Sequence, residues 1–197
     1  MTSDPHESLR ADTKLGPVVE DVGVLRVEPA EDFFARFVVS ILRQQVSMES
    51  AAATRERLFD AIEVTPGGVL GADDEILRDA GLSRQKTRYV NNVARAFVEN
   101  GYSRAYFEGM DDDAVRAELT SITGVGTWTA DMQLLFSLGR PDVFPVGDLG
   151  IRKGMARLFE DLAVDDRAAM RGRADRWAPY RSYASLYLWR GVEGGDS

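Results

Sequence analysis

Residues 119–130 have the sequence Leu-Thr-Ser-Ile-Thr-Gly-Val-Gly-Thr-Trp-Thr-Ala. Two glycines, Gly124 and Gly126, separate two runs that suit helices, so the stretch predicts a helix, a short hairpin and a second helix. Glycine adopts positive φ angles without strain and lets the backbone approach a ligand closely. The N–H groups at the start of the second helix could therefore hold a phosphate oxygen. An ordinary turn between two helices is the alternative that these residues leave open.

The sequence on both sides of this hairpin is also helical in pattern. Apolar residues recur at helical spacing over 32–46 and 84–99, and further helices are predicted over 127–138 and 148–159. The sequence contains no alternating strand pattern, internal repeat or low-complexity linker. The protein is therefore predicted to be all-α.

The composition excludes several kinds of chemistry. The 197 residues include no cysteine and a single histidine, His6. Disulfides, thiolate zinc sites, iron–sulfur clusters and a catalytic thiol are therefore excluded, and histidine general-base chemistry is not expected. A hydrophobic fraction of 44% is enough to build a sizeable core. The length fits one domain or two small lobes.

The sequence gives no sign of a membrane or secretory protein. No stretch reaches the roughly 18 apolar residues of a membrane span. The N-terminus lacks the basic region followed by an apolar region that marks a secretory signal. We therefore predict a cytoplasmic protein that does not contact membranes.

The charge balance bears on the choice of partner. Lysine and arginine number 24 against 32 aspartates and glutamates, and only Lys14, Lys86 and Lys153 are lysines. Such a lysine-poor, acidic composition suggests a protein of a high-salt cytoplasm, and an ordinary acidic enzyme is the alternative. At molar salt the Debye length is about 3 Å, so a negative net charge repels DNA weakly and a local basic face can still bind phosphates.

Two further segments contain residue types that suit a functional site. Residues 143–152 place Asp148 directly before an amphipathic run. An aspartate is a good helix N-cap, worth about 1 kcal/mol, and this role alone could explain it. Residues 176–190 read Arg-Trp-Ala-Pro-Tyr-Arg-Ser-Tyr-Ala-Ser-Leu-Tyr-Leu-Trp-Arg, and core packing is the simplest interpretation of their aromatic side chains.

Together these segments resemble the helix-hairpin-helix (HhH-GPD) base-excision DNA glycosylases, with 3-methyladenine DNA glycosylase II as the most similar branch. The resemblance rests on Gly-Val-Gly-Thr-Trp-Thr-Ala at 124–130, on Asp148 and on the aromatic segment 176–190. Residues 41–47, Ile-Leu-Arg-Gln-Gln-Val-Ser, match a fourth element of the family. The resemblance covers about residues 29–191. It is a resemblance to the compact form of these enzymes, which lacks the N-terminal β-rich domain of the bacterial enzyme.

The resemblance implies an all-α helix-hairpin-helix glycosylase fold of two helical lobes with the active-site cleft between them. We accordingly predict an N-terminal extension over 1–28 and a glycosylase domain of two helical subdomains over 29–194. The sequence assigns no function to the extension. A monomer is expected.

The resemblance also implies an activity. Enzymes of this family bind damaged double-stranded DNA, rotate the damaged nucleotide into a pocket and hydrolyse the N-glycosidic bond. Asp148 falls on the family's catalytic carboxylate, which would stabilise the oxocarbenium-like sugar and orient the attacking water. Trp128 stands where strand-nicking relatives have a lysine that forms a Schiff base. We therefore expect a monofunctional glycosylase that needs no cofactor for catalysis.

The substrate is expected to be a cationic base. Trp128 and Trp189 would supply aromatic faces in the base pocket, and Met132 is expected to line it one turn after Trp128. Indole attracts a desolvated cation by about 1–2 kcal/mol, which favours alkylated bases such as 3-methyladenine and 7-methylguanine. A glycosylase for deaminated or oxidised bases is one alternative. A non-catalytic helix-hairpin-helix DNA-binding protein is another.

The remaining implied roles concern contacts with DNA. The family's wedge position, which enters the base stack, falls on Gln45, and a solvent-facing glutamine is the alternative. Phosphate contacts are expected at the hairpin residues Gly124, Gly126 and Thr127. The backbone carbonyls implied in binding a structural Na⁺ or K⁺ are those of Thr120, Ile122 and Val125.

A local basic segment lies at the start of the helix predicted over 84–99. Because its residues are polar or cationic, it is expected to bind phosphates through Ser83, Arg84, Lys86, Thr87 and Arg88. A solvated charged helix face is the alternative.

Overall fold

The structure is a computed structural model and describes residues 4–193. Within these residues the chain forms helices and connecting turns without a strand, which confirms the predicted all-α class. The α-helices are α1 (Pro5–Arg10), α2 (Gly16–Val22), α3 (Phe33–Leu42), α4 (Met48–Ala61), α5 (Pro66–Gly71), α6 (Asp74–Asp79), α7 (Arg84–Asn100), α8 (Arg104–Phe107), α9 (Asp112–Thr120), α10 (Thr127–Met132), α11 (Leu149–Leu158), α12 (Arg167–Ala174) and α13 (Arg181–Glu193). A π-helical turn, Gln133–Ser137, follows α10, and a 3-10 turn, Asp175–Trp177, follows α12.

The chain divides into two compact units, which we call the central unit and the terminal unit. The central unit is the continuous stretch Pro29–Leu138 and contains α3 to α10. The terminal unit combines Met1–Glu28 with Gly139–Ser197 and contains α1, α2 and α11 to α13. Residues 4–28 thus belong to the same compact unit as the C-terminal part of the chain.

The core of the terminal unit draws on both of its sequence segments. Its buried apolar residues include Leu9, Leu15, Val19, Ile151, Met155, Trp177 and Tyr187. Polar contacts reinforce the packing, since the Tyr187 hydroxyl donates to the carbonyl oxygen of Gly23 at 2.8 Å. The indole N–H of Trp177 donates to Asp12 at 3.1 Å. These contacts integrate α1 and α2 into the unit.

An aromatic cluster forms much of the core of the central unit. Phe33 and Phe37 of α3 pack on Phe97 of α7, and the ring centroids of Phe33 and Phe97 lie 5.1 Å apart in an edge-to-face arrangement. Helix α7 is capped by Ser83 at its N-terminus and by Gly101 at its C-terminus, where Gly101 has a left-handed φ of 67°. The aromatic packing anchors the long helix α7 through its buried face, and the two capping residues set its ends.

The hairpin predicted from residues 119–130 lies between α9, which ends at Thr120, and α10, which begins at Thr127. The two helices are joined by an ion pair, in which the Nε atom of Arg116 on α9 donates to Asp131 on α10 at 2.7 Å. Asp131 is buried. The pair fixes the helices that carry the hairpin.

The single helix predicted over 127–138 is wrong in one respect, because α10 gives way to the π-helical turn after Met132. Gln133 is fully buried there, and its amide donates to the carbonyl oxygen of Thr129 at 3.2 Å. The hydroxyl of Ser137 donates to Gln133 at 2.8 Å. Polar side chains that bond to nearby backbone compete with regular helical hydrogen bonding, which accounts for the widened turn.

Candidate functional site

The hairpin backbone is shaped by close packing on α7. Gly124 has a φ of 105°, and a Cβ atom there would lie only 2.2 Å from the Tyr89 ring. A residue with a side chain would therefore be strained in its backbone and would clash with the ring. Gly126 differs, because a Cβ atom there would meet nothing within 4 Å. Gly126 is the N-cap of α10 and is exposed to solvent.

A glutamine not singled out from the sequence ties this hairpin to the turn that follows α3. The side-chain amide of Gln44 donates to the carbonyl oxygen of Gly124 at 3.0 Å and to the hydroxyl of Thr129 at 2.9 Å. Gln44 lies in the matched segment 41–47, but nothing in that segment alone separates its role from that of Gln45.

The adjacent residue Gln45, predicted as the wedge, is exposed and has a φ of 58°. Left-handed backbone is uncommon for residues other than glycine and clusters at functional sites. Beside it, the ammonium group of Lys86 donates to the carbonyl oxygen of Leu42, the last residue of α3. Burial lowers the pKa of Lys86. The structure thus holds this turn through Gln44 on one side and Lys86 on the other.

The predicted phosphate-binding segment contains a helix-capping residue, Ser83, and exposed cations on the helix that follows it. Ser83 caps α7 by accepting a hydrogen bond from the N–H group of Lys86 at 3.2 Å. Arg84 and Arg88 are exposed on α7. Arg88 also lines an open groove of about 620 Å³, together with Asn92, Arg95 and Thr123 among others. Asn92 and Arg95 were not predicted from the sequence, and they lie one and two helical turns beyond Arg88 along α7.

In the terminal unit, Asp148 is the N-cap of α11 and is half-buried. Its Oδ1 atom accepts a hydrogen bond from the backbone N–H of Ile151 at 3.1 Å. The same oxygen accepts a hydrogen bond from the indole Nε1–H of Trp189 at 2.9 Å. The structure therefore brings together two of the predicted site residues, and the capping role of Asp148 is observed.

The other two predicted base-pocket residues lie in the central unit. Trp128 is half-buried in the first turn of α10, and Met132 at the end of that helix is buried, with 3% of its surface exposed. The two residues are four positions apart and so lie on one face of the helix.

The carbonyl groups expected to bind a monovalent cation lie where α9 ends and the hairpin turns. The carbonyl oxygen of Ile122 accepts a hydrogen bond from the N–H group of Val125 at 3.0 Å. Elsewhere in residues 4–193, no cluster of three or more histidine, cysteine, aspartate or glutamate side chains is arranged to hold a metal ion. Over the same part of the chain, no helix combines the length and hydropathy needed to cross a bilayer.

Comparison with known proteins gives the class to which this fold and these residues belong. The pattern of the HhH-GPD superfamily of base excision DNA repair proteins matches residues 38–179. The chain therefore belongs to the HhH-GPD superfamily.

Individual relatives are similar over most of this chain. YfjP of Bacillus subtilis, whose name describes it as a DNA-3-methyladenine glycosylase, is 34% identical to this chain over 165 residues. That match covers 78% of this chain and 56% of YfjP, so the chain spans little more than half the length of this relative.

Two solved structures share the fold. The 3-methyladenine DNA glycosylase of Schizosaccharomyces pombe, in complex with abasic DNA, superposes with a TM-score of 0.89 at 26% identity and covers 98% of each chain. The DNA-3-methyladenine glycosidase of Bacillus halodurans superposes with a TM-score of 0.81 at 32% identity, over 97% of this chain and 90% of that one.

Proposed function

We propose that this protein is a monofunctional DNA glycosylase. It removes alkylated, cationic bases such as 3-methyladenine or 7-methylguanine from damaged double-stranded DNA and leaves an abasic site. The observation that carries the proposal is the carboxylate of Asp148, held by the N–H group of Ile151 and by the indole of Trp189. The names of the relatives, which refer to 3-methyladenine, support the same substrate class.

In the proposed reaction, the bond between the sugar C1′ and the base nitrogen breaks. The electron pair leaves with the base, and a base that was cationic in DNA departs as a neutral molecule. The carboxylate of Asp148 stabilises the positive charge that develops on the sugar. It also orients a water molecule, whose oxygen bonds to C1′ and whose proton passes to the carboxylate.

The proposed reaction ends at base release, because no lysine is available at the position used by strand-nicking relatives. Trp128 occupies that position in α10. A Schiff base with the sugar requires a primary amine, and an indole cannot form one. The abasic strand is therefore expected to stay intact until another enzyme acts on it.

We assign recognition of the base to aromatic and apolar side chains, namely Trp128, Trp189 and Met132. Stacking against indole favours a positively charged ring over a neutral one without reading a particular edge. The charged base is already a good leaving group, so the proposal needs no strong general acid.

We assign DNA contacts to the central unit. Gln45 would enter the base stack, where its amide could hydrogen-bond the orphaned partner base. Gly126 and Thr127 would approach a phosphate. The exposed cations Arg84 and Arg88 would bind further phosphates along α7. Lys86 would act indirectly, since its ammonium group is bonded to Leu42.

A structural Na⁺ or K⁺ at the hairpin is part of the proposal. Thr120, Ile122 and Val125 would hold it through neutral carbonyl oxygens, which suit monovalent cations. The oxygen of Ile122 has a second lone pair beyond the one used by Val125. Such an ion would offset the charge of a nearby phosphate. Action as a monomer in the cytoplasm stays a prediction from the sequence.

The test compares Asp148→Asn with Asp166→Asn. Both aspartates cap helices of the terminal unit, and Asp166 accepts a hydrogen bond from the N–H group of Ala169 at 2.9 Å. Release of free base from methylated duplex DNA is measured by chromatography from low to molar KCl, and strand cleavage is measured on the same samples. We expect the wild type and Asp166→Asn to release base without nicking, and Asp148→Asn to lose release.

Two outcomes would contradict the proposal. If the wild type binds DNA but releases no alkylated base at any salt concentration, another lesion class or a non-catalytic DNA-binding protein is favoured. If Asp148→Asn retains full activity, the aspartate is only a helix cap.

A further inference from the structure

We propose that Trp189 is a positioning residue for Asp148, and that its effect on turnover comes through the carboxylate more than through contact with the base. The inference rests on the proposed catalytic role of Asp148. It concerns how that carboxylate is oriented, which the capping interaction alone does not determine.

The two donors reach the carboxylate from different elements. The N–H group of Ile151 belongs to the first turn of α11, the helix that Asp148 itself caps. The Nε1–H group of Trp189 belongs to α13 and lies 2.9 Å from the same oxygen. One donor fixes Asp148 relative to its own helix, and the other fixes it relative to a second helix. A side chain held at one oxygen from two directions has little freedom to rotate, so the direction of its other oxygen is set as well.

A glycine makes room for this contact. A Cβ atom at Gly150 would lie 2.8 Å from Cδ1 and 3.1 Å from Nε1 of Trp189, and 3.0 Å from Oδ1 of Asp148. Its backbone does not have the left-handed φ that would by itself require glycine. The absence of a side chain at position 150 is therefore explained by the space that the indole and the carboxylate need to meet.

The same helix face has a second close approach one turn later. A Cβ atom at Gly154 would lie 2.9 Å from the carbonyl oxygen of Leu188. Gly150 and Gly154 therefore let α13 pack tightly on α11 next to the Trp189–Asp148 hydrogen bond. Close packing of this kind restricts the indole, which makes it a rigid donor.

Positioning has a measurable consequence for the rate. A catalytic group must be held within a fraction of an ångström of its reacting atom, and a displacement of about 1 Å can lower a rate by roughly 100-fold. We therefore expect Trp189→Phe, which keeps an aromatic ring but removes the N–H donor, to lower kcat by roughly 10- to 100-fold. The KM for methylated duplex DNA and the affinity for DNA with a tetrahydrofuran abasic site should change little.

The matched control is Trp177→Phe. Trp177 also donates its indole N–H to an aspartate of the terminal unit, Asp12 at 3.1 Å, and is buried in the core. Its loss should lower Tm without changing kcat for the folded enzyme. A structural effect common to both tryptophans would lower kcat in both variants and would overturn the proposal.

Three further variants, one single and two double, test the role through the additivity of their effects on kcat. Gly150→Ala should lower kcat as Trp189→Phe does, because its methyl group displaces the indole from the carboxylate. Combining the two substitutions should not multiply their losses. In an Asp148→Asn background, where the carboxylate is absent, Trp189→Phe should cause no further loss of residual rate.

The substrate dependence separates positioning from stacking. A positioning role predicts the same fold-loss for release of 3-methyladenine and of 7-methylguanine in single-turnover assays. A loss that differs between the bases, or that falls on KM, would show that Trp189 acts on turnover by stacking on the base and not through the carboxylate, and would overturn the inference. If the wild type releases neither base, the proposed function itself fails, and the two failures are thereby distinguished.

Discussion

The side-chain amide of Gln44 donates a hydrogen bond to the carbonyl oxygen of Gly124 at 3.0 Å, across 80 positions of the sequence. This bond connects the turn that presents Gln45 to the glycine hairpin, so the proposed wedge and the proposed phosphate-binding loop belong to one braced unit. The hydroxyl of Thr129, which accepts from the same nitrogen, extends the brace into α10.

Gln44→Ala is expected to weaken DNA binding although Gln44 is not proposed to contact DNA. Loss of two hydrogen bonds in a partly buried position should reduce the free energy of unfolding by about 1–3 kcal/mol. Because the turn and hairpin would no longer be held together, the affinity for abasic-site DNA should fall by about tenfold, or about 1.4 kcal/mol. Asn100→Ala, which removes an exposed amide bonded to the carbonyl of Ala96, is the control. Equal affinity in both variants would argue against the brace.

The two hairpin glycines are expected to respond differently to alanine. Gly124→Ala introduces both a clash with Tyr89 and a strained φ, so it should lower the free energy of unfolding by roughly 2–4 kcal/mol. Gly126→Ala has open space and should change stability by less than about 1 kcal/mol. It should nevertheless weaken DNA binding, because its methyl group would occupy the path of a phosphate. Urea unfolding and fluorescence anisotropy measure the two effects, and normal DNA affinity of Gly126→Ala would remove that glycine from the interface.

Asp131→Asn is expected to destabilise the helices around the hairpin. Burial lowers the pKa of Arg116, but the hydrogen bond and charge of Asp131, together with the charges of Asp112 and Asp113, more than compensate, and the pKa is raised overall. Removing the buried partner leaves a half-buried guanidinium without its main counter-charge, which costs about 3 kcal/mol. The control is Asp113→Asn, because exposed Asp113 contacts the same arginine at 2.7 Å and should contribute less than about 1 kcal/mol. Similar losses in thermal unfolding would contradict this assignment.

Asp12 should make the stability of the terminal unit depend on pH in the acid range. Burial alone would raise its pKa, but hydrogen bonds from the N–H groups of Leu15 and Lys14 and from Trp177 lower it below the usual 3.8. The folded state therefore favours the ionised form, and the stabilisation is complete above the usual pKa and is lost as pH falls through the lower, folded-state value.

Asp12→Ala tests this dependence. At neutral pH the variant should be less stable by about 1–3 kcal/mol, because a buried indole N–H loses its acceptor. The difference from wild type should shrink as the pH falls below about 4. Urea unfolding between pH 3 and pH 7 measures it, and a constant difference over this range would exclude ionised Asp12 as its source.

Local features of the fold could be predicted from the sequence, and long-range contacts could not. Gly124, Gly126 and the capping position of Asp148 are signalled by residues within a few positions, because turns and helix caps are local. The partners of Gln44 and of Trp189 lie 80 and 41 positions away, and nothing in their local sequence selects those partners. A glutamine and a tryptophan can serve equally as core, surface or site residues, so their roles become visible only in the packed structure.

The path of the chain through the two units has a consequence for its synthesis. His6 and Tyr187, whose side chains hydrogen-bond at 2.7 Å, are 181 positions apart. The N-terminal segment of the terminal unit therefore cannot make its contacts with α13 until that last helix has emerged from the ribosome. The central unit is continuous and can acquire its own contacts earlier. The nascent chain therefore passes through a stage in which the hairpin is built but the carboxylate of Asp148 is not yet held by Trp189.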